Sequence, residues 1–494
     1  MIPFGKHEPD LAQTNSGRTS VAENVRPQLD HYAPLPGLAA YSSDALAARA
    51  RGGIGVRLTD GTTKIYAGDA NALYELANDK SWTDRTRLSG GAYSNADYWW
   101  MLKWGSKVIA GNLSDINQVI DADGSSEFAD ISVSAGTMPK SLVANIVGPH
   151  IVAGCLDSDP TAVQLCAAAD ETNWEVGGGV NGRIQSFKDH GWVRGVSPGR
   201  LQGYIYPDSA IRRAILTGDN NLMDFLVVVT GIGIAAPTSL VHGPGFDAFL
   251  SNDGFKIWDG HTIKHIGRNR VDNTFNSEVD QNTIQETYGS FDPNDSIIYW
   301  PYRTEGGAYA DRVAMYNYIS DRWAFGSLDA SVIFQSVTLP TALEDIDTLF
   351  PQYNLDTLPW SLDDRIFQGQ LPSLAAFGSD NKLSFFTAAN LAATIETSEF
   401  TNVTREGMPN PRTRLYLNGA IPIIDSTSAT VSIGTKERKG DSFTFGSDIA
   451  MEADGSCPQE VSGRFVRGRL KTSAGDDWTK AEGIAFDVEQ DSDV

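Results

Sequence analysis

Basic residues, cysteines and long hydrophobic runs are all scarce in this 494-residue chain. Lys and Arg total 39 against 62 Asp and Glu, which gives a formal net charge of -23 at pH 7. No extended block of Lys and Arg interrupts this acidity. Because a protein that grips nucleic acid needs Lys and Arg to replace the counterions of the phosphates, the composition argues against a general nucleic-acid-binding role.

The three cysteines, Cys155, Cys166 and Cys457, are odd in number and far apart in the sequence. They form no CxxC pair and no cluster of metal ligands, so the spacing predicts neither a disulfide framework nor a zinc site. We expect all three to be small buried residues of a protein synthesised in a reducing cytosol.

Hydrophobic stretches are short. The start of the sequence, Met1 to Lys6, has no apolar signal-peptide region. The most apolar run, Phe225 to Ala236, is too short to span a bilayer and is interrupted by Gly231 and Gly233. The sequence therefore predicts one or two buried strands there, and a soluble protein with no membrane insertion.

What the chain does contain is typical of an all-β protein. Its 48 glycines and 11 tryptophans accompany short runs of β-branched and aromatic residues between Asp, Asn, Gly and Ser clusters. A turn with an aliphatic–aromatic strand recurs at Asp60–Asp69, Asp253–Gly260 and Ser379–Phe386, and a strand, polar turn and tryptophan recur at Trp82, Trp174 and Trp323. This recurrence favours a β-propeller, with an ordinary stacked-sheet protein as the alternative.

The pattern divides the chain into three regions. Residues 1–39 are rich in proline and lack apolar alternation, which predicts an extended arm that lies on a neighbouring subunit or on the next ring of an assembly rather than folding on itself. Residues 40–400 are predicted to form the propeller, with a loop-rich insertion near 338–372. Residues 401–494 return to alternation and are predicted to form a C-terminal β region that either closes the propeller or folds as a small sandwich.

One catalytic pattern can be rejected from its chemistry. Gly195-Val-Ser197-Pro198-Gly199 matches the G-x-S-x-G pattern of serine hydrolases. In that motif the residue after the serine donates its backbone N–H to the oxyanion, and Pro198 has no N–H. We therefore interpret the segment as a turn.

Other candidate sites are incomplete. Asp121 to Glu127 has the alternating oxygens of a calcium loop, but Ser132 stands where the bidentate glutamate is needed. The glycine run Gly177–Gly182 is not followed by the Lys-Ser/Thr of a phosphate cradle. His261 and His265 have no third ligand nearby. Finally, Glu344, Asp363 and Asp364 could pair across a cleft as acid and base, but sequence gives no separation. The sequence thus predicts no catalytic, cofactor-binding or metal-binding residues.

The ordered landmarks of the first third of the chain resemble a family of phage proteins. The series is Ile2–Gly5, Asn24–Pro27, Tyr32–Gly37, Tyr66–Asp69, Leu73–Tyr74, Trp82, Trp104–Ala110, Phe128 and Ile151–Gly154. It resembles the tail hub, nozzle or packaged-DNA stabilisation proteins of short-tailed phages. After about Thr401 no pattern of that family is present.

The resemblance implies a structural virion protein rather than an enzyme. The subunit would be a β-propeller in a homohexameric ring of the phage tail, between the portal or adaptor and the distal tail proteins. The ring would continue the DNA channel, help to retain packaged DNA and let duplex DNA pass at ejection without binding it tightly. Two alternatives stay open: a propeller adhesin that binds host glycan, and a glycan-degrading tail enzyme.

Overall fold

The prediction of an all-β protein is confirmed. A computed structural model describes residues 1–124, 126–177, 182–219, 221–337, 372–403 and 409–489. Strands account for 49% of the chain and helices for 3%. Within the described ranges the helical elements are α1 (Asp272–Glu278) and two 3₁₀ turns, Pro237–Ser239 and Ile284–Glu286. Among the described residues, no helix is long and apolar enough to span a bilayer.

Five short strands precede blade 1 in the sequence: β1 (Ile2–Pro3), β2 (Thr19–Glu23), β3 (Val25–Pro27), β4 (Tyr32–Pro34) and β5 (Ala39–Ala40). Blade 1 contains β6 (Gly52–Arg57), β7 (Thr63–Gly68), β8 (Leu73–Leu76) and β9 (Trp82–Asp84). Blade 2 contains β10 (Trp100–Trp104), β11 (Lys107–Gly111), β12 (Gln118–Asp121) and β13 (Ala129–Asp130). The short strand β14 (Ala135–Gly136) follows. Blade 3 contains β15 (Ser141–Val147), β16 (His150–Leu156), β17 (Ala162–Leu165) and β19 (Arg183–Ser186), while β18 (Asn173–Trp174) pairs in parallel with β14.

Four further blades follow along the chain. Blade 4 contains β20 (Val193–Ser197), β21 (Gln202–Pro207), β22 (Ala210–Leu216) and β23 (Met223–Thr230). Blade 5 contains β24 (Val241–Gly243), β25 (Phe246–Ser251), β26 (Gly254–Trp258) and β27 (Ile263–His265). Blade 6 contains β28 (Ser290–Asp292), β29 (Ile297–Tyr302), β30 (Arg312–Asn317) and β31 (Arg322–Ser327). Blade 7 contains β32 (Val332–Val337), β33 (Pro372–Phe377) and β34 (Leu383–Phe385), with β5 as its fourth strand.

The seven antiparallel blades form a closed ring, because the first and last innermost strands pack directly on each other. A Cβ added to Gly53 of β6 would lie 2.9 Å from the ring of Phe334 in β32, and one added to Gly55 would lie 2.6 Å from the hydroxyl of Ser336. Glycine at these positions lets the two strands approach closely. The ring also closes within blade 7, where Ala39 and Ala40 pair with Phe385 and Ser384.

Both ends of the chain build a two-layer β region beside the propeller. Its remaining strands are β35 (Thr394–Thr397), β36 (Leu415–Ile424), β37 (Thr430–Lys436), β38 (Thr444–Phe445), β39 (Ile449–Ala450), β40 (Cys457–Gly463), β41 (Phe465–Lys471) and β42 (Ala481–Glu489). One layer orders its strands β3-β4-β42-β36-β40, with β1 also on β42. The other runs from β31 of blade 6 through β2 to β35, β41 and β37. Of the two roles expected for residues 401–494, the sandwich is therefore the one observed, and the N-terminal strand β5 closes the propeller.

The prediction of an N-terminal arm lying on another subunit is wrong. Phe4 and Tyr32 are both 0% exposed and belong to the core between the two layers, with Leu417, Ile433 and Ile484. The prolines misled the prediction because they occupy positions where a missing N–H is tolerated. Pro3 is in the short strand β1, and Pro27 is in the edge strand β3.

The recurrent sequence motifs occupy different places in the blades. Asp253-Gly254 and Asp380-Asn381 both turn from the second strand of a blade to the third, whereas Asp60-Gly61 turns from the first to the second. Trp82 and Trp323 lie in outermost strands, while Trp174 lies in the additional strand β18. The recurrence thus indicated blades correctly without giving a common register.

Two further expectations concern single segments. The apolar run Phe225–Ala236 was expected to be buried, but it begins in β23, the outermost strand of blade 4, where Leu226 is 54% exposed and Val227 is 43% exposed. Ile234 and Ala236, at its end, are buried. The insertion predicted near 338–372 lies outside the described residues, except for Pro372, which begins β33.

Candidate functional site

The innermost strands of the blades surround the propeller axis, and three cavities lie along it. We call the end where these strands begin the entry mouth; it is a cavity of about 380 Å³. The opposite end, where they finish, is the exit mouth, of about 420 Å³. The cavity between the mouths measures about 230 Å³ and is lined by Gly53, Trp100, Asn145, Val196 and His242 among others.

A buried carboxylate joins blades 4 and 5 beside the axial cavity. Asp247 of β25 is 5% exposed and accepts hydrogen bonds from the hydroxyls of Ser197 and Tyr206, at 3.0 Å for Ser197. The same carboxylate lies 2.8 Å from Nδ1 of His242. Burial raises the pKa of Tyr206 well above its usual value, and the charge of Asp247 raises it further. Tyr206 is therefore a neutral donor to Asp247.

This network brings a serine, a histidine and an aspartate together in an order that differs from a catalytic triad. In a triad the histidine stands between the serine and the aspartate. Here the aspartate stands between them, and Nε2 of His242 lies 3.4 Å from the amide nitrogen of Asn145. The serine hydroxyl thus donates to a carboxylate and has no imidazole to accept its proton.

The backbone at Ser197 also differs from a nucleophile elbow. Such an elbow is a strained turn from a strand into a helix. Ser197 ends strand β20, has no positive φ, and is followed by a turn into another strand, β21. The interpretation of Gly195–Gly199 as a turn is therefore only partly correct, because Gly195 to Ser197 belong to β20 and the connection to β21 begins at Pro198.

Three arginines line the entry mouth of this acidic chain: Arg49 and Arg51 lie just before β6 of blade 1, and Arg194 lies in β20 of blade 4. Arg49 donates to Glu286 at 2.9 Å, and Arg194 donates to Asp208 at 2.6 Å. Arg51 contacts the backbone oxygen of Asp97 at 3.4 Å. Arg49 and Arg194 are thus held by carboxylates, whereas the described contact of Arg51 is to a neutral carbonyl group.

Three buried polar atoms at this mouth have no hydrogen-bond partner among the described residues. They are Nε of Arg49, Nε of Arg51 and the hydroxyl oxygen of Ser331. Ser331 is 3% exposed, and all three residues line the cavity. Tyr98 and Tyr288 line it as well, and burial raises the pKa of Tyr288 to about 12. The mouth is therefore lined by neutral tyrosines and by donors that lack acceptors.

His265 lies beside a buried ammonium group rather than a metal ligand set. The side chain of Lys256 is 0% exposed; it pairs with Asp253, and its Nζ lies 3.1 Å from Nδ1 of His265. Burial lowers the pKa of His265, and the charge of Lys256 lowers it further. Residue spacing could not reveal this cluster, because Lys256 enters from the neighbouring strand of the sheet.

The other sequence candidates remain apart in the structure. Asp121 and Asp123 are exposed and belong to a turn in which the N–H of Asp123 lies 3.3 Å from Asp121. No group of three or more potential metal ligands exists within the described ranges. Most of the glycine run, residues 178–181, and the carboxylates Glu344, Asp363 and Asp364 fall outside those ranges.

The expectation of buried cysteines is confirmed. Cys155, Cys166 and Cys457 are 3%, 0% and 1% exposed. Burial raises the pKa of the Cys155 thiol to about 11 and that of Cys166 to about 12. Both thiols are therefore protonated at neutral pH and are poor nucleophiles.

Comparisons with known proteins find similarity in fold. No family model and no curated protein matches the chain. BamB from Moraxella catarrhalis is 10% identical with a TM-score of 0.35, over 73% of this chain and 92% of that chain. Two structures of the extracellular domain of BT4673 from B. thetaiotaomicron are 10% and 9% identical, with TM-scores of 0.40 and 0.42, over 85% and 86% of this chain. This chain spans 47% of each of those two chains. These similarities concern the fold alone.

Proposed function

We propose that this chain is a structural, non-enzymatic virion protein that assembles into a hexameric ring of a short phage tail. The ring continues the DNA channel between the portal or adaptor and the distal tail proteins. The sequence resemblance supports this proposal, and so does the location of its landmarks. Ile2–Gly5, Asn24–Pro27 and Tyr32–Gly37 build the region where both chain ends meet blade 6.

The observation that carries the assembly proposal is the outer edge of blade 4. Strand β23 has 8 residues, whereas the outermost strands of blades 1, 2, 3 and 5 have 2 to 4. Among the described residues, no strand pairs with its outer edge. A long apolar edge strand with unpaired N–H and C=O groups is a template for another chain.

In blade 6 the outer edge of a long outermost strand is covered by another strand of the same chain. Strand β31 has 6 residues, and β2 of the same chain is added to its outer edge. Strand β23 has no such cover from the described residues. Exposed apolar residues flank this strand on blades 3 and 4, namely Ile184, Trp192 and Leu201, although Leu88, Ile116 and Ile319 on blades 1, 2 and 6 are exposed as well. We therefore assign the contact between copies to the rim of these two blades.

Substitution of the edge strand tests the assembly. The double variant L226K/V227K places two charges on β23, and L88K places one on blade 1, where Leu88 is 86% exposed. Native mass spectrometry of the full chain should show a closed ring for the wild type and for L88K, and dissociated subunits for L226K/V227K. A wild type that stays monomeric at all concentrations and in the presence of tail partners would contradict the proposal.

A host-glycan-binding propeller is the second candidate, and the entry mouth favours it. Its cavity of about 380 Å³ falls in the range of about 300–1,000 Å³ that small-ligand pockets occupy. Such an adhesin would expose this mouth at the tip of the tail. Binding of the full chain to host-surface polysaccharide, without ring formation, would favour this candidate over the structural ring.

A further inference from the structure

The lining of the entry mouth points to a bound anion. Seven blades contribute to a ring of inner strands, and the residues that precede or begin these strands line a single cavity. Among the polar residues that line this cavity are Arg49 and Arg51 of blade 1 and Ser331 of blade 7. The hydroxyl of Ser331 lies on a residue that is 3% exposed.

The chemistry of the unpartnered atoms selects the ligand class. Nε of an arginine can donate a hydrogen bond and cannot accept one. The hydroxyl of Ser331 can donate as well, so a ligand that satisfies all three atoms must present several acceptors. Because hydrogen bonds from a guanidinium to a charged oxygen are the strong ones, an oxyanion fits better than a neutral carbonyl group.

The surrounding charges determine which arginine recognises the ligand. Glu286 neutralises Arg49, and Asp208 neutralises Arg194. The side chain of Asp97 also lines the cavity, while Arg51 contacts the backbone oxygen of that residue. Arg51 therefore has the guanidinium best able to pair with an incoming negative charge.

We propose that the entry mouth is a binding site for the carboxylate or phosphate group of a small anionic molecule. Nε of Arg51 and the hydroxyl of Ser331 are the primary donors, and Nε of Arg49 completes the cradle. Tyr98 and Tyr288 form the wall beside the anion. The site is independent of ring formation, because all of its residues belong to one propeller.

The test is calorimetric titration of the full chain with three probes at constant ionic strength. Inorganic phosphate and glucuronate represent the two sources of oxyanion, and glucose is the neutral control. We expect saturable binding of phosphate, glucuronate or both, and none of glucose. Phosphate alone would assign the site to phosphorylated ligands, and glucuronate alone would assign it to acidic sugars.

Three variants assign the binding to these atoms. R51Q removes the charge, R51K keeps the charge but loses Nε, and S331A removes the hydroxyl. Each should weaken binding by about tenfold or more, because a hydrogen bond to a charged group contributes about 1.5–3 kcal/mol. R200Q, at an exposed arginine of blade 4, is the matched control and should bind as the wild type does.

Two results would overturn the proposal. One is the absence of saturable binding for both anions, and the other is binding that R51Q, R51K and S331A leave unchanged. Circular dichroism and thermal unfolding of each variant separate lost binding from lost folding. If S331A unfolds, R51K still decides the question, since Arg51 is half-buried and its long side chain is replaced by another.

Discussion

Single residues join neighbouring blades, and Asp247 is the clearest case. Its carboxylate accepts hydrogen bonds from the hydroxyls of Ser197 and Tyr206 in blade 4. It also lies within hydrogen-bond distance of His242 on the neighbouring strand. Tyr206 is 0% exposed, so water cannot replace the carboxylate. The network that looks like catalytic machinery by residue type is therefore a polar joint in the propeller.

Removal of this carboxylate should lower the free energy of unfolding of the protein. Asp247→Ala leaves the hydroxyls of Tyr206 and Ser197 buried without an acceptor, at about 1–3 kcal/mol for each group left unsatisfied. Urea unfolding followed by tryptophan fluorescence should show a clearly lowered midpoint. Asp224→Ala, at an exposed position of β23, is the control and should change the stability by less than about 0.5 kcal/mol. Equal urea midpoints for the two variants would show that the Asp247 carboxylate does not stabilise the contact between blades 4 and 5.

A buried histidine in the N-terminal segment should make stability depend on pH. His7 is 4% exposed, and its Nδ1 lies 3.2 Å from the backbone oxygen of Thr19. Burial lowers the pKa of His7 from 6.5 to about 4. The unfolded chain therefore binds a proton that the folded chain resists, so stability is lost as the pH falls from about 6.5 towards 4.

The variant His7→Gln isolates this contribution, because glutamine does not titrate. The stability advantage of the wild type over His7→Gln should be largest above pH 6.5 and should shrink as the pH approaches 4. Urea midpoints of both proteins at four pH values measure it. A difference that stays constant over this range would mean that His7 is not buried as described.

Some properties of single residues can be predicted from their own chemistry. The missing N–H of Pro198 argued against a hydrolase motif, and the geometry around Ser197 agrees with that interpretation. The partners of Ser197 could not be predicted. Asp247 lies 50 residues away and is brought close by the packing of blade 5 on blade 4, which no local spacing encodes.

At the scale of elements, the N-terminal strands depend on the C-terminal ones. The N–H of Phe4 donates to the backbone oxygen of Glu482 at 2.7 Å, and Ile2 pairs with Ile484. Proline content suggested an arm, because proline removes donors from a sheet. The segment instead packs against its own chain, because its few large apolar residues, Phe4 and Tyr32, are buried in the core between the two layers.

Truncation of Phe4 should therefore destabilise the two-layer region. Phe4→Ala removes a fully buried ring, and such changes cost about 3–5 kcal/mol. Leu29→Ala, at a residue that is 70% exposed, is the matched control and should be almost neutral. Limited proteolysis with mass spectrometry should show faster cleavage within residues 409–489 for Phe4→Ala alone. Identical cleavage of both variants would indicate that the N-terminal segment does not stabilise the C-terminal strands, as expected for an extended arm.

At the scale of the whole molecule, the chain closes on itself twice. Strand β5 completes blade 7 from the N-terminal side, and strands from both ends share the two-layer region. Short strands and turn residues were sufficient to predict a propeller. They could not predict which terminus closes it, because both termini contain short β-like segments and the choice depends on pairing over hundreds of residues.

The charge of the molecule bears on the proposed ring. A channel that duplex DNA must traverse should not hold the phosphates, and each Lys or Arg contact would add salt-dependent affinity. The formal charge of -23 per subunit fits a wall that repels DNA, although acidic residues also keep large particles soluble. The two explanations differ in where the acidic residues lie in the assembly.

A cryo-electron microscopy reconstruction of the assembled 494-residue protein would show where the subunits meet and which charges line the channel. We expect a closed ring of identical propellers with contacts at the rim of blades 3 and 4. We also expect an axial channel whose wall carries more Asp and Glu than Lys and Arg. A particle without an axial channel, or a ring with a basic wall and acidic residues confined to its outer rim, would exclude the proposed DNA-conducting ring.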